Sequence, residues 1–171
     1  MNVGTVTLIG MPGVGKSTTG VLLAKRLGLS FVDTDLLIQV REGETLQETL
    51  EQRGYLALRA IEEAVILEMP LLKTLVSTGG SAVYSDAAML RLKTAGPIVH
   101  LRASLSVLEA RVAANPDRGI ASPPGMALAQ VFAERSPLYA RYADYTIDCD
   151  GVAPEGVASA VIVSLAASSA T

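Results

Sequence analysis

Nine residues near the start of the chain, Gly10-Met11-Pro12-Gly13-Val14-Gly15-Lys16-Ser17-Thr18, carry the clearest chemistry in the sequence. They match G-x-x-x-x-G-K-[ST] at every fixed position, after an apolar strand and before a helical stretch. Glycine lets such a loop curl until the N–H groups of Gly13, Val14, Gly15, Lys16, Ser17 and Thr18 face inward as a nest for phosphate oxygens. A helix opening near Gly15 adds its unpaired N–H groups and its dipole. Lys16 is expected to reach the β- and γ-phosphates, and the Ser17 hydroxyl to ligate Mg²⁺. A glycine-rich turn with a chance lysine would not need the full spacing. The expected ligand is a nucleoside triphosphate with Mg²⁺.

Two further clusters belong to the same chemistry. In Phe31-Val32-Asp33-Thr34-Asp35 the carboxylates are two apart at a predicted strand end, so both are expected at the mouth of the sheet, where α/β ligands sit. One can hold Mg²⁺ directly or through water, while the other positions or deprotonates a hydroxyl. The bland alternative is that Asp33 ends the strand and Asp35 caps the next helix. In Leu75–Ser85 an apolar run stops on Thr78-Gly79-Gly80. A pair of glycines there is expected to let bare N–H groups approach a hydroxyl or phosphate oxygen. Ser81 follows, and two roles suit it. Either it takes positive φ at a cost of about 1 kcal/mol or more, or it caps the next turn; the cap is the reading adopted.

The elements that must position these groups alternate along the chain. Apolar or β-branched runs at Thr5–Ile9, Phe31–Asp33, Thr74–Ser77, Ile98–Leu101 and Tyr145–Asp148 predict strands. Helical spacing covers Lys16–Leu27, Leu56–Met69, Ala87–Lys93, Leu105–Ala114, Ala127–Tyr142 and Gly156–Ala167. The alternation predicts a parallel sheet with helices on both faces. Asn115–Gly125 holds three prolines and two glycines, which excludes a regular element and suggests a lid. One domain over residues 1–171 is expected, since this length suits a single core.

Composition narrows the function. The net charge is −3 and no basic run exceeds Lys25-Arg26, against the clustered positive surface that nucleic acid requires. No apolar run is long enough for a bilayer span, and no charged leader opens the chain, so a cytoplasmic protein is expected. No N-K-x-D stretch that would read a guanine base is present. His100, in Pro97–Leu101, has no metal-ligand partners at the right spacing and reads as a packed strand residue. The single cysteine, Cys149, has no basic sequence neighbours and reads as structural.

From Thr5 to about Pro154 the chain resembles the shikimate kinase family. The resemblance rests on GMPGVGKST, FVDTD, GETLQETLEQRGYLALRAIEE, STGG and ERSPLYARYAD, in order and at similar spacing. The middle block supplies Gly43, Thr45, Leu46, Gly54, Arg59 and Glu62 of that family's pattern. The resemblance implies a P-loop NTPase three-layer α/β/α fold like that of nucleoside monophosphate kinases, with a five-stranded parallel sheet. It also implies a monomer with a substrate-binding region at about 33–62 and a lid at about 115–125. The implied activity is ATP-dependent phosphorylation of shikimate to shikimate 3-phosphate, in aromatic amino-acid biosynthesis.

By the same resemblance Asp33 and Ser17 match the Mg²⁺ residues, and Asp35 the aspartate that meets the ring hydroxyls. Arg59 and Arg135 match the pair that grips the carboxylate, and Gly79 and Gly80 a further substrate contact. Lys16 and Arg118 match the phosphate-binding catalytic cations, the latter in the lid. Arg111 and Pro154 match the residues on either face of adenine. Without the resemblance, Arg59 and Arg111 read more readily as solvated helix residues.

Three departures stand out. Gly119-Ile120-Ala121 replaces a proline-leucine-leucine after the lid arginine, which removes a fixed φ and is expected to loosen the lid. Leu50 and Leu58 stand where aromatic residues often line the ring. Ser81 takes the place of a third glycine. Two other readings therefore stay open: a related kinase acting on gluconate or a nucleoside monophosphate, and a catalytically weak relative.

Overall fold

The structure, a computed structural model, describes residues 4–114 and 119–168. Its sheet has five strands: β1 (Val6–Ile9), β2 (Ser30–Asp33), β3 (Thr74–Ser77), β4 (Ile98–Arg102) and β5 (Tyr145–Asp148). They lie in the order β2-β3-β1-β4-β5, and every neighbouring pair is parallel. All residues of β1 and β3 are buried, as continuous apolar runs require when helices cover both faces. β5, at one edge, alternates between half-buried and exposed positions.

Among the described residues seven α-helices follow or separate the strands: α1 (Lys16–Leu27), α2 (Thr34–Glu42), α3 (Leu46–Glu68), α4 (Asp86–Ala95), α5 (Leu105–Ala113), α6 (Leu128–Tyr142) and α7 (Pro154–Ser168). α1 and α7 pack on each other along one face of the sheet, while α3, α4 and α6 meet around a short 3-10 turn at Ala82–Tyr84. The result is the expected three-layer α/β/α architecture. The main core is built from β1, β3 and β4 with the helices over them; a smaller cluster of Ile38, Leu58, Val65 and Ala121 lies under α2 and α3. Among the described residues no helix is long and apolar enough to cross a membrane.

The sequence reading missed α2 and the first ten residues of α3. α2 starts directly at Thr34, where the Asp33 carboxylate accepts the Asp35 N–H at 3.0 Å as its N-cap. Asp35 is therefore in the first helical turn rather than on a strand beside Asp33, and the capping role is the reverse of the alternative considered. α3 opens on a reciprocal capping box, Thr45 and Glu48, a T-x-x-E signature readable in advance. Helical spacing was hard to follow through Gly54, where φ is 79° and the helix kinks. The stretch 119–127 forms neither helix nor strand, as its prolines and glycines require.

Candidate active site

The C-terminal ends of β1, β2 and β3 bring the phosphate loop, the first acidic residue and the glycine pair together. Gly15 caps α1 with φ 103°, a left-handed conformation that glycine alone adopts freely. Lys16 is 4% exposed, and its ammonium donates to the Gly10 and Met11 carbonyls at 2.7 and 3.0 Å. The cation is thus held over the loop rather than trailing into solvent. Ser17 Oγ lies 3.4 Å from the Ser77 hydroxyl, and Ser77 is the register partner of Asp33. These are hard oxygen donors, which suit Mg²⁺. Among the described residues no group of three His, Cys, Asp or Glu side chains could hold a metal alone. An ion here would complete its shell with water and phosphate oxygens, the usual habit of Mg²⁺.

Two cavities open from the loop. The larger, about 290 Å³, is lined by Gly13, Gly15, Thr18, Arg111, Cys149 and Pro154 among others. Arg111, from α5, donates to the Gly13 and Val14 carbonyls, both at 3.2 Å, so it belongs to the wall of the loop. Burial pushes the Cys149 thiol up to about 11 and keeps it neutral, in line with a structural role. His100 stacks on Tyr139 with centroids 5.0 Å apart, and burial pushes its pKa down to about 4. It is the packed strand histidine expected.

The smaller cavity, about 30 Å³, is bounded by Lys16, Asp35, Glu62, Gly79, Gly80 and Arg135, with Gly119–Ala121 across it. Arg135 is 1% exposed. Its Nη2 donates to the Ala121 carbonyl at 2.8 Å, and Arg59 donates to the same oxygen from Nε and Nη2 at 3.2 and 3.0 Å. Both guanidinium groups lie near the Tyr84 ring, Arg59 at 3.6 Å and Arg135 at 5.3 Å from its centroid. Such stacking holds a fork flat while its N–H groups stay available. Arg59 borders a neighbouring open cleft with Glu63 and Tyr84, and shares with Arg135 the Ala121 carbonyl and the Tyr84 ring. It does not pair with Glu62.

The glycine pair has a steric reason. A Cβ on Gly79 would stand 2.3 Å from Glu62 Oε1 and 2.7 Å from Asp35 Oδ1; one on Gly80 would stand 2.8 Å from Pro12 and 2.9 Å from Arg135. The expectation of bare N–H groups needs amendment, because the Gly79 N–H already donates to Thr34 Oγ1 at 2.8 Å. The Gly80 carbonyl accepts the Tyr139 hydroxyl at 2.6 Å. Ser81 stands at the N-cap position of the 3-10 turn, with φ −96° and so no left-handed strain, but its side chain makes no capping bond. Its hydroxyl instead donates to Glu62 Oε2 at 2.5 Å.

Glu62, Ser77, Ser81 and Tyr84 were not singled out as site residues from sequence. Glu62 was legible only as part of R-x-x-E. It is 2% exposed, and burial, with Asp35 adding repulsion, pushes its carboxyl up to about 7. Leu58 lines the cavity, while Leu50 packs behind it on the smaller apolar cluster. Gly119 has a tighter role than a missing proline suggested. A Cβ there would come within 3.1 Å of the Gln47 nitrogen, so glycine lets this segment lie against the start of α3. Arg118 lies outside the described residues.

Comparison with known proteins agrees with this geometry. A sequence model of the shikimate kinase family matches residues 12–166. The shikimate kinase of Thermodesulfovibrio yellowstonii is 38% identical over 160 residues, 92% of each chain. Among solved structures, the shikimate kinase of Acinetobacter baumannii in complex with shikimate superposes with a TM-score of 0.90 at 27% identity. That match covers 97% of this chain and 94% of the other. The shikimate kinase of Aquifex aeolicus gives 0.82 at 28% identity, covering 96% and 98%. With a family match over most of its length and the phosphate loop, acidic pair and buried arginine in one site, this chain belongs to the shikimate kinase family.

Proposed function

We propose that the chain transfers the γ-phosphoryl group of ATP to a ring hydroxyl of shikimate, with Mg²⁺ at Ser17 and Asp33. The observation that carries the reading is the convergence of Arg59 and Arg135 on one oxygen, beside a cavity walled by Lys16, Asp35 and Gly79. Paired guanidinium groups suit a carboxylate, and a neutral sugar acceptor would not need them. The Ala121 carbonyl takes the place that the substrate carboxylate would have. At about 30 Å³ the cavity holds little more than a water molecule or two, so the ring enters only as Gly119–Ala121 withdraw.

Phosphoryl transfer asks the protein mainly for positioning and charge neutralisation. The larger cavity, with Arg111 and Pro154 on its walls, takes the adenosine part of ATP. The inward N–H groups of Gly13–Thr18 hold the phosphates, and Lys16 exchanges the Gly10 and Met11 carbonyls for phosphate oxygens. Mg²⁺ when bound would neutralise charge on the phosphates. Asp35, in the first turn of α2, accepts a hydrogen bond from the attacking hydroxyl and points it in line. Return of Gly119–Ala121 over the ring excludes water that would otherwise hydrolyse ATP. An assay of ADP release with shikimate, gluconate and nucleoside monophosphates offered separately tests the proposal. Turnover is expected with shikimate alone; none above the ATP-only rate would refute it.

A further inference from the structure

The Ser81–Glu62 pair does work in the acceptor site that the reading above leaves unassigned. Glu62 is buried on α3 with two distinguishable oxygens. Oε2 accepts the Ser81 hydroxyl at 2.5 Å, whereas Oε1 is buried without a hydrogen-bond partner. That oxygen is not turned away into apolar packing. It stands by Gly79, close to Asp35 Oδ1, on the wall of the acceptor cavity. A buried acceptor left without a donor carries its full desolvation penalty, larger still if charged, and such an atom in a native site calls for a reason.

We propose that Ser81 is a positioning residue: by fixing one oxygen of Glu62 it directs the other, beside Asp35, at a hydroxyl of the polyhydroxylated acceptor. The inference rests on the acceptor assignment above. The carboxylate then receives in the complex the donor that it lacks alone. Two carboxylates reading one ring hydroxylated at several carbons also discriminate strongly, because an analogue lacking a hydroxyl leaves a buried acceptor unpaired. Ser81 is suited to this task by its place. It follows Gly79 and Gly80, lies 7% exposed at the foot of the 3-10 turn, and has an unstrained backbone. Glycine at this position would leave Glu62 without its donor.

The groups facing Glu62 fix the direction of the pH effect. Asp35 on α2 disfavours its ionised form, as does burial; Arg135 on α6, Lys16 on α1 and the Ser81 hydroxyl favour it. Tyr139, also on α6, stays neutral because burial pushes its phenol up. Loss of the Ser81 hydroxyl therefore moves Glu62 ionisation, and the acid limb of acceptor kcat/KM, to higher pH.

The test compares Ser81→Ala and Ser81→Gly with the wild-type chain, measuring kcat and KM for shikimate and for ATP across pH. Both variants remove the hydroxyl, and neither adds bulk or backbone strain. The expected result is a roughly tenfold rise in KM for shikimate, with the acid limb displaced upward by about one unit, from the strength of a hydrogen bond to a charged group. KM for ATP should stay within about twofold, since each tenfold change needs about 1.4 kcal/mol and no nucleotide contact is altered. An unchanged acid limb and shikimate KM in both variants would overturn the role of Ser81 while leaving the shikimate assignment intact. Equal losses for ATP and shikimate would overturn it too, as a merely structural effect. A wild-type chain inactive on shikimate would remove the acceptor assignment and this inference together.

Discussion

Arg59 of α3 and Arg135 of α6 donate to the same backbone oxygen, that of Ala121, at 3.0 and 2.8 Å. One carbonyl carries only a partial negative charge, so it is a weak partner for two guanidinium groups. A carboxylate would satisfy both forks and carry a full charge. On the proposed reading, exchange of the Ala121 carbonyl for a substrate carboxylate would be driven by the better partner and would open the cavity.

Arg135→Ala should therefore weaken shikimate binding far more than ATP binding. Hydrogen bonds to a charged group contribute about 1.5–3 kcal/mol, which corresponds to a roughly 10- to 100-fold rise in shikimate KM. Titration calorimetry with each ligand separately measures the split. Equal losses for the two ligands would contradict the carboxylate-gripping role.

Glu62 makes stability depend on pH. Its carboxyl titrates near 7 in the folded chain against an ordinary 4.5, mainly through burial. A carboxyl with a raised folded value contributes its stability below the unfolded value and loses it as pH rises through the folded one. The melting temperature of the unliganded protein should fall between about pH 5 and pH 8. Glu62→Gln, which cannot ionise, should flatten that fall, as read by thermal unfolding in matched buffers.

Gly79→Ala places a methyl group 2.3 Å from Glu62 Oε1 and 2.7 Å from Asp35 Oδ1. Both carboxylates must then shift, at a cost of about 1–3 kcal/mol for overpacking. Shikimate turnover should collapse while nucleotide binding, measured by a fluorescent ATP analogue, is retained. A normal kcat in this variant would show that the two carboxylates need no fixed placement.

Gly54 isolates a backbone effect. It has φ 79° at the kink of α3, and a Cβ there would touch nothing within 4 Å. Gly54→Ala should cost about 1–3 kcal/mol from the backbone alone, because φ 79° with ψ 168° is a positive-φ extended region that essentially only glycine adopts. Urea denaturation measures this directly, and no loss would mean that the kink is not held in the folded chain.

Much of this molecule could be read before any coordinates. Every strand was legible to within a residue: the central β1, β3 and β4 as continuous apolar runs covered on both faces, and the edge strands β2 and β5 by β-branched and aromatic residues between turns. The phosphate loop was equally plain, since its function needs glycines, a lysine and a hydroxyl at contiguous positions. What the sequence could not express is contact between distant segments. Asp33 and Asp35 look equivalent in the chain, yet the immediate start of α2 makes the first a helix cap and places the second on the wall of the small cavity with Glu62 and Arg135. Ser81 looked like a turn residue until α3 brought Glu62 against it. Arg59 and Arg135 became a pair only because α3, α6 and the Ala121 carbonyl meet at one point. Local geometry follows from neighbouring residues, whereas a buried hydrogen bond is settled only when packing removes water and leaves one donor in reach.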